Sequence, residues 1–375
     1  MGVQVTFVTY EPLLGSSAHY LPALKNEGIA LLDASELPEW EDPLLRSKLQ
    51  SLSDQLGLGT RELNCVLKLI TAFRQTKPQA VYAQLDEPNI FAGIAARVAG
   101  VERFIMSFRT HNPTTFPWIY RDWMLPSYRW LAAWNGVRYT GNGIAGNASY
   151  AEWLGLPVEE VVLIPNMLGR SNRVAPRLED LEEVRRELKL SPDDKVVLGV
   201  FRLHPEKDPQ TFLHVARQVL NGFPSTKFIL AGDGPLRAEL LTFVEELGLA
   251  DRIALIGHRH DVSALMSIAT VLLHTSKWEG MSNVVMEAQS LGLPVVGPAI
   301  AGVTEAVDAP NSALLCQPGD VVSFAQALSS LLASPDVRRK MSEASKRFAA
   351  VRFDEQAVCN RYLRIALEAR GPITS

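Results

Sequence analysis

The chain has 375 residues, 47% of them hydrophobic and 21% charged, with a formal net charge of −4. This is the balance of a globular chain long enough for two domains with separate cores, and it excludes a disordered or fibrous protein and any global attraction to nucleic acid. Three scattered cysteines, Cys65, Cys316 and Cys359, with no C-x-x-C pair, argue against a disulfide framework or a zinc site and fit a reducing cytosol.

In chain order, apolar runs at Val3–Thr9, Ile29–Leu32, Ala80–Ala83, Arg103–Ser107, Arg138–Gly141 and Val161–Ile164 predict strands, with helices at Arg61–Gln75 and Ile90–Ala99 between some of them. A polar, proline-bearing stretch, Asn166–Arg177, predicts an interdomain linker, and a charged helix follows at Leu178–Leu190. Beyond it the alternation is regular. Strands are expected at Val196–Phe201, Phe228–Ala231, Ile253–Ile256, Val271–Leu273, Pro294–Val296 and Leu314–Leu315. Helices are expected at Gln210–Leu220, Leu236–Leu247, Val262–Ile268, Ser282–Leu291 and Val321–Leu332. Strands and helices alternating at this spacing make βαβ units on a parallel sheet. The fold class is therefore α/β, with two doubly wound, Rossmann-like domains facing each other across a cleft. Residues 1–168 form the first domain, 169–353 the second, and a last helix near Asp354–Glu368 is expected to cross back to the first domain within 354–375. No apolar run approaches the roughly 18–20 residues that span a bilayer, and the N-terminus shows no signal-peptide pattern, so the expected location is the cytoplasm.

The stretch Phe116–Trp134 stands apart, holding four of the seven tryptophans together with Phe116, Tyr120, Tyr128, Arg121 and Arg129. Three readings fit it: an insertion packed on its own domain, peripheral contact with the inner face of a membrane, or contact with an acceptor or partner.

Two segments carry chemistry. In Ser276–Ala288, Glu279 sits in the loop after the strand Val271–Leu273, and Glu287 lies eight residues on, two turns into the following helix. Ser282 or Asn283 is placed to cap that helix and Gly292 to end it. Loops at the carboxyl ends of strands in open α/β sheets bind ligands, and a helix N-terminus offers amides and a positive dipole to an anion. In Gly199–Asp208, a strand again ends in a loop, here bearing Arg202 and Lys207; a planar fork and a mobile point charge together suit a diphosphate.

These segments resemble the GT-B-fold retaining glycosyltransferases often called family 4. The motifs in order are Phe201–Asp208, Leu230–Arg237, Ile256–His258, Ser276–Ala288, Gly292–Val296, Gly302–Glu305 and Gln317–Asp320, with Ile164–Asn166 before the linker. Coverage is roughly residues 60–368, densest from 196 to 320. The resemblance implies that Arg202 and Lys207 grip the donor diphosphate, Glu287 takes the ribose hydroxyls, and Glu279 contacts the donor sugar. The backbone of Gly280, Met281, Ser282 and Asn283 would approach sugar and phosphate, and that of His258 and Arg259 the base. Gly232, Asp233 and Gly234 read as a strand-to-helix turn. In the first domain Ser107–Asn112 resembles the segment that brings a histidine near the sugar; Arg109 and His111 both fit, and His111 is favoured over a purely structural histidine. Asp86 and Glu87 either orient the acceptor hydroxyl or cap a helix before Pro88.

The expected activity is retaining transfer from a nucleotide-sugar, a UDP-sugar, to a hydroxyl of a glycan or lipid-linked acceptor in surface polysaccharide or glycan biosynthesis. No cofactor is called for and, with no D-x-D dyad, no metal. The alternatives are a non-catalytic nucleotide-sugar-binding subunit of a larger synthase, or a UDP-sugar epimerase of the same architecture. One departure from the pattern is that Met1–Tyr10 reads like the family's second strand placed first. The expectation is a missing first β-α unit, supplied by a longer polypeptide or a partner chain, unless Leu14–Ser17 is a degenerate form of the glycine loop.

Overall fold

The computed structural model describes residues 2–12, 21–40, 42–168 and 176–367. It divides into two compact units, one of Met1–Asn142, Gly146–Leu163 and Arg361–Ser375, the other of Gly143–Ala145 and Ile164–Asn360.

The first unit opens with β1 (Thr6–Thr9), α1 (Leu21–Asn26) and β2 (Ala30–Asp33). β1 and β2 pair in parallel as a separate two-stranded sheet, Thr6 opposite Ala30 through Thr9 opposite Asp33. The glycine-loop alternative at Leu14–Ser17 lies outside the described residues, as does 169–175 of the expected linker. Next come α2 (Pro43–Leu56), α3 (Thr60–Thr76), β3 (Ala80–Gln84), α4 (Asp86–Ala99), β4 (Arg103–Phe108), α5 (Met124–Ala132), β5 (Val137–Gly141), α6 (Ile144–Leu154) and β6 (Val161–Leu163). Strands β3-β4-β5-β6 form a parallel sheet in that order. Its core gathers Leu67, Ile70, Phe91, Phe104 and Phe108, all buried.

Helix α2 was not anticipated, although its signals are present. The Asp42 carboxylate accepts from the Leu44 and Leu45 amides, Pro43 opens the helix, Leu49 and Leu56 are buried, and Gly57 closes it in the left-handed region. Within Phe116–Trp134, Tyr128 is fully buried, Trp123, Trp130 and Trp134 pack against this core, and the Arg97 guanidinium lies 4.1 Å over the Trp130 ring. Among the large apolar side chains of this segment, Trp118 and Ile119 are exposed.

The second unit runs α7 (Leu178–Glu187), β7 (Val196–Val200), α8 (Pro209–Leu220), β8 (Lys227–Ala231), α9 (Arg237–Glu246), β9 (Ile253–Gly257), α10 (Val262–Ile268), β10 (Val271–Leu273), α11 (Asn283–Leu291), β11 (Val295–Pro298), α12 (Ala301–Thr304), β12 (Ala313–Cys316), α13 (Val321–Ala333) and α14 (Pro335–Arg352). The last helix, α15 (Glu355–Leu367), has Arg361 onward in the first unit, where Arg361 donates to the Leu163 carbonyl and Arg103 to the Ala366 carbonyl.

The six parallel strands lie in the order β12-β11-β10-β7-β8-β9. Val196–Leu198, Val271–Leu273 and Val295–Val296 are wholly buried, because helices cover both faces of such a sheet and every strand residue meets a core. Period-two alternation then sorts them. Val197, Phe228, Leu230, Val271 and Leu273 pack into one cluster with α8 and α13, whereas Val196, Leu198, Ile229 and Leu272 pack into the other with α10 and α11. The strand order reverses between β7 and β10, which pair directly, Val271 opposite Val197.

Gly232, Asp233 and Gly234 brace the exit from β7. Leu203 donates its amide to the Asp233 carbonyl at 2.9 Å and accepts from Leu236 at 3.1 Å. Gly232 has φ +146°, and a Cβ there would come 1.9 Å from the Phe201 carbonyl oxygen. Gly232→Ala should therefore lower stability by about 2–4 kcal/mol, whereas Gly222→Ala, in open space, should change it by less than about 0.5 kcal/mol. Urea midpoints at unchanged slope check both; equal effects would remove the bracing role.

Candidate nucleotide-sugar site

The chain winds outward from β7 through β8 to β9, then returns to β10 and winds the other way. At such a reversal the loops leaving two neighbouring strands diverge to opposite faces and leave a crevice at their carboxyl ends. The two loops bordering it are Phe201–Asp208 and His274–Ser282.

The first loop buries Phe201 and Leu203, exposes Arg202, and tightens through a 3-10 turn, Pro205–Lys207, before α8. Asp208, with φ 48°, starts that helix, its carboxylate accepting from the Thr211 hydroxyl at 2.8 Å. The second loop is tied to the first by backbone. The Lys277 amide donates to the Glu206 carbonyl at 2.8 Å, and the Thr275 hydroxyl to the Lys207 carbonyl at 3.1 Å. Lys277 Nζ lies 3.6 Å from an Asp208 oxygen.

That clasp brings Lys207 and Glu279 together. Lys207 Nζ donates to Glu279 Oε1 at 2.7 Å, and Ser276 Oγ donates to the same oxygen at 2.8 Å. His274 Nε2 lies 3.0 Å from it. The Lys207 and Glu279 side chains are only 15% and 11% exposed, so this ion pair is largely withdrawn from water. Burial pushes the Glu279 carboxyl up, but the His274 hydrogen bond and the Lys207 ammonium oppose it, and the group is held at about 2. The sequence assigned these two residues to different parts of a ligand; the structure makes them partners.

Arg202 sits on the open side of the loop, its guanidinium donating to Glu206 at 3.1 Å, and His204 Nδ1 also bonds Glu206. Burial opposes the Glu206 charge, yet its backbone bond, His204 and Arg202 together lower its carboxyl.

Helix α11 starts beside the pair, at Asn283. Ser282 occupies the N-cap position with extended backbone, but its side chain caps nothing and lies 3.4 Å from His274 Nε2. The cap expected of Ser282 or Asn283 is thus not made: the Asn283 side-chain oxygen accepts from Asn166 at 2.6 Å. A helix whose first turn lacks a side-chain cap retains amides for an anionic ligand, with the dipole favouring negative charge. Met281 is buried and Gly280 half-buried at this corner. Glu287, half-buried, stands four residues beyond Asn283 and on the same helical face. Gly292 ends α11 in the left-handed region, as expected.

The other predicted residues lie elsewhere. His258 and Arg259 follow β9, two strands from β7. The Arg259 guanidinium bonds Asp261 at 2.8 and 2.7 Å and Glu187 at 2.5 and 2.8 Å, tying the end of α7 to the start of α10. The His258 ring stands edge-on to His260. His111 belongs to the first unit, half-buried after β4. Asp86 is the first residue of α4, not its cap. It is buried, one carboxylate oxygen accepting from Tyr128 and Tyr150 hydroxyls at 2.7 Å each, and desolvation raises its carboxyl against those bonds. Glu87 pairs instead with Arg61 at 3.4 Å.

Sequence reasoning missed His274 and Ser276. The available signal was a polar triplet, His274-Thr275-Ser276, directly following an all-apolar strand and fully buried with it. Among the described residues no group of three His, Cys, Asp or Glu side chains is placed to hold a metal, and no helix is long and apolar enough to cross a membrane.

Residues 180–348 match the family model described as Glycosyl transferases group 1. Over 76% of this chain and 49% of its partner, the sequence is 29% identical to the Vi polysaccharide biosynthesis protein VipC/TviE of Salmonella typhi. Over 72% of this chain and 70% of the relative, it is 26% identical to the UDP-Gal:alpha-D-GlcNAc-diphosphoundecaprenol alpha-1,3-galactosyltransferase of Escherichia coli. The chain spans about half the length of the Salmonella typhi protein and of the N-acetyl-alpha-D-glucosaminyl L-malate synthase of Bacillus anthracis, 49% and 48% respectively. Anabaena Alr3699/HepE, solved in complex with UDP and glucose, superposes with a TM-score of 0.75 over 95% of this chain and 90% of that one, at 20% identity. The backbone likeness gives a GT-B fold, and residues 180–348, which hold the site just described, are similar to the glycosyl transferases group 1 family.

Proposed function

We propose that the protein is a retaining, metal-independent glycosyltransferase. It transfers a sugar from a UDP-sugar to a hydroxyl of a glycan or lipid-linked acceptor in surface polysaccharide or glycan biosynthesis. The observation that carries this reading is the buried Lys207–Glu279 pair at the sheet reversal, beside a helix N-terminus with no side-chain cap. The names of the relatives support the substrate classes: the Escherichia coli protein uses UDP-Gal and a diphosphoundecaprenol-linked acceptor, and the Anabaena protein was crystallised with UDP-glucose.

A lysine ammonium has three donors, and Glu279 takes one of Lys207's. The pair therefore anchors the ammonium while leaving donors for a diphosphate, where they stabilise charge developing on the leaving group. Arg202 and the first amides of α11 act on the same phosphates. Glu279, ionised throughout the neutral range, accepts a hydrogen bond from a donor-sugar hydroxyl and does not serve as a base. The acceptor proton then goes to the departing phosphate, the course expected of a retaining enzyme without a general base. Glu287 receives the ribose hydroxyls, and the backbone at His258 and Arg259 faces the base. Exposed Trp118 and Ile119, next to Arg121, support peripheral contact with the inner face of the membrane.

Lys207→Ala should lower kcat about 10²–10³-fold with a smaller effect on UDP affinity. Glu287→Ala should weaken UDP binding about tenfold with a smaller effect on kcat. Steady-state kinetics with calorimetry separate the two, and unchanged values in both variants would end the assignment. Turnover should persist in excess EDTA; loss restored by a divalent cation would overturn the metal-independent step.

The Glu279 carboxyl, lowered from 4.5 to about 2 in the fold, contributes stability that is complete above about pH 5 and is lost as pH falls toward 2. That difference corresponds to about 3 kcal/mol. The stability gap between wild type and Glu279→Gln should be flat near neutrality and narrow below about pH 4, as measured by chemical denaturation. A gap independent of pH would show that the carboxylate carries no such charge stabilisation.

A further inference from the structure

All three side-chain hydrogen bonds to Glu279 fall on Oε1, from Lys207, Ser276 and His274. His274 is 1% exposed, with its ring edge-on to Phe201 at 6.1 Å between centroids. Its Nδ1 is buried and has no hydrogen-bond partner. That asymmetry fixes the ring's state. Nε2 faces a carboxylate oxygen and must carry the hydrogen. A second N–H at Nδ1 would be a buried donor with nothing to receive it, and an unpaired donor in an apolar pocket costs more than an unused lone pair. The charged groups facing the ring are Glu279, which favours an imidazolium, and Lys207 across the same oxygen, which disfavours it. Phe201, Ser276 and Ser282 are neutral.

We propose that His274 is a positioning residue for the donor sugar. As a neutral imidazole donating from Nε2, it fixes the rotation of Glu279 so that Oε1 is committed to the protein and Oε2 is the oxygen presented to a sugar hydroxyl. Without it the carboxylate is free to turn and engage Lys207 with both oxygens, drawing Oε2 from the sugar. The inference rests on the reading in which Glu279 contacts the donor sugar.

Calorimetry of UDP against UDP-glucose, UDP-galactose and UDP-N-acetylglucosamine isolates the sugar's share as a ratio of affinities. His274→Leu should leave UDP affinity within about threefold yet reduce that ratio about tenfold for the preferred sugar, and His274→Gln, with an amide N–H near the place of Nε2, should restore most of it. Ring nitrogen NMR of the wild type should show the hydrogen on Nε2 and none on Nδ1. An unchanged ratio in His274→Leu, a Gln variant no better than Leu, or a hydrogen found on Nδ1 would each overturn the proposal. Failure of the wild type to bind UDP or any UDP-sugar would instead defeat the functional reading, and the inference with it. A ratio unaffected by Glu279→Ala would show that the sugar contact, not the histidine's pose, is wrong.

Discussion

A carboxylate placed out of water is stable as an anion only where cations and donors replace its hydration. At Glu279 the replacement is complete on one oxygen, and each of the three donors arrives by a different route: Lys207 from the loop after β7, His274 from the end of β10, Ser276 from the turn that follows. The arrangement exists only because β7 and β10 are neighbours. Residues more than sixty positions apart in sequence meet because the strand order reverses there. Had β10 been added at the β9 edge, Lys207 and Glu279 would be separated by two strands.

The remainder of the second unit keeps these two loops in place. Gly232 lets the turn after β8 pack its backbone against Phe201, and no side chain fits in that gap. Gly302 does the same on the other side: a Cβ there would lie 2.5 Å from the Glu279 carbonyl oxygen, and the Gly302 carbonyl accepts from the Ser282 amide at 3.0 Å. Each loop is therefore held by a glycine-lined backbone contact, in addition to the direct bonds between them. Such supports leave the charged side chains as the main variable part of the corner, since the main chain on either side has no room to shift.

The second unit was the more legible half, for a physical reason. Its central strands are buried on both faces, so they appear as unbroken apolar runs, and each strand of the sheet lies within a residue or two of its expected place, Pro294–Val296 against Val295–Pro298 for example. The first unit has strands with exposed residues such as Phe7, Leu31 and Tyr82, which blur the period. Helices α2 and α14 went unread although Asp42-Pro43 and Ser334-Pro335 are cap-and-proline starts. At the site, the loops carrying Arg202, Lys207, Glu279 and Glu287 were legible because strand ends in such sheets bind ligands. The contact between Lys207 and Glu279 was not, since sequence order gives no strand order. Nor was the role of His274, because a histidine ending an apolar strand resembles any satisfied core residue.

Asp86 shows what decides the matter between structural and chemical carboxylates. It is as buried as Glu279 and also receives strong hydrogen bonds on one oxygen, yet its carboxyl is raised while that of Glu279 is lowered. The difference lies in the donors. Tyr128 and Tyr150 are neutral, are themselves pushed further from ionising by burial and by the Asp86 charge, and one of them stacks on Phe108 at 3.9 Å between rings. That network fills a core and welcomes a proton. Glu279 faces an ammonium and an imidazole at the carboxyl edge of a sheet reversal, so it holds its charge where an incoming hydroxyl can use it. Burial alone does not distinguish the two; the charge of the donors and the place in the sheet do.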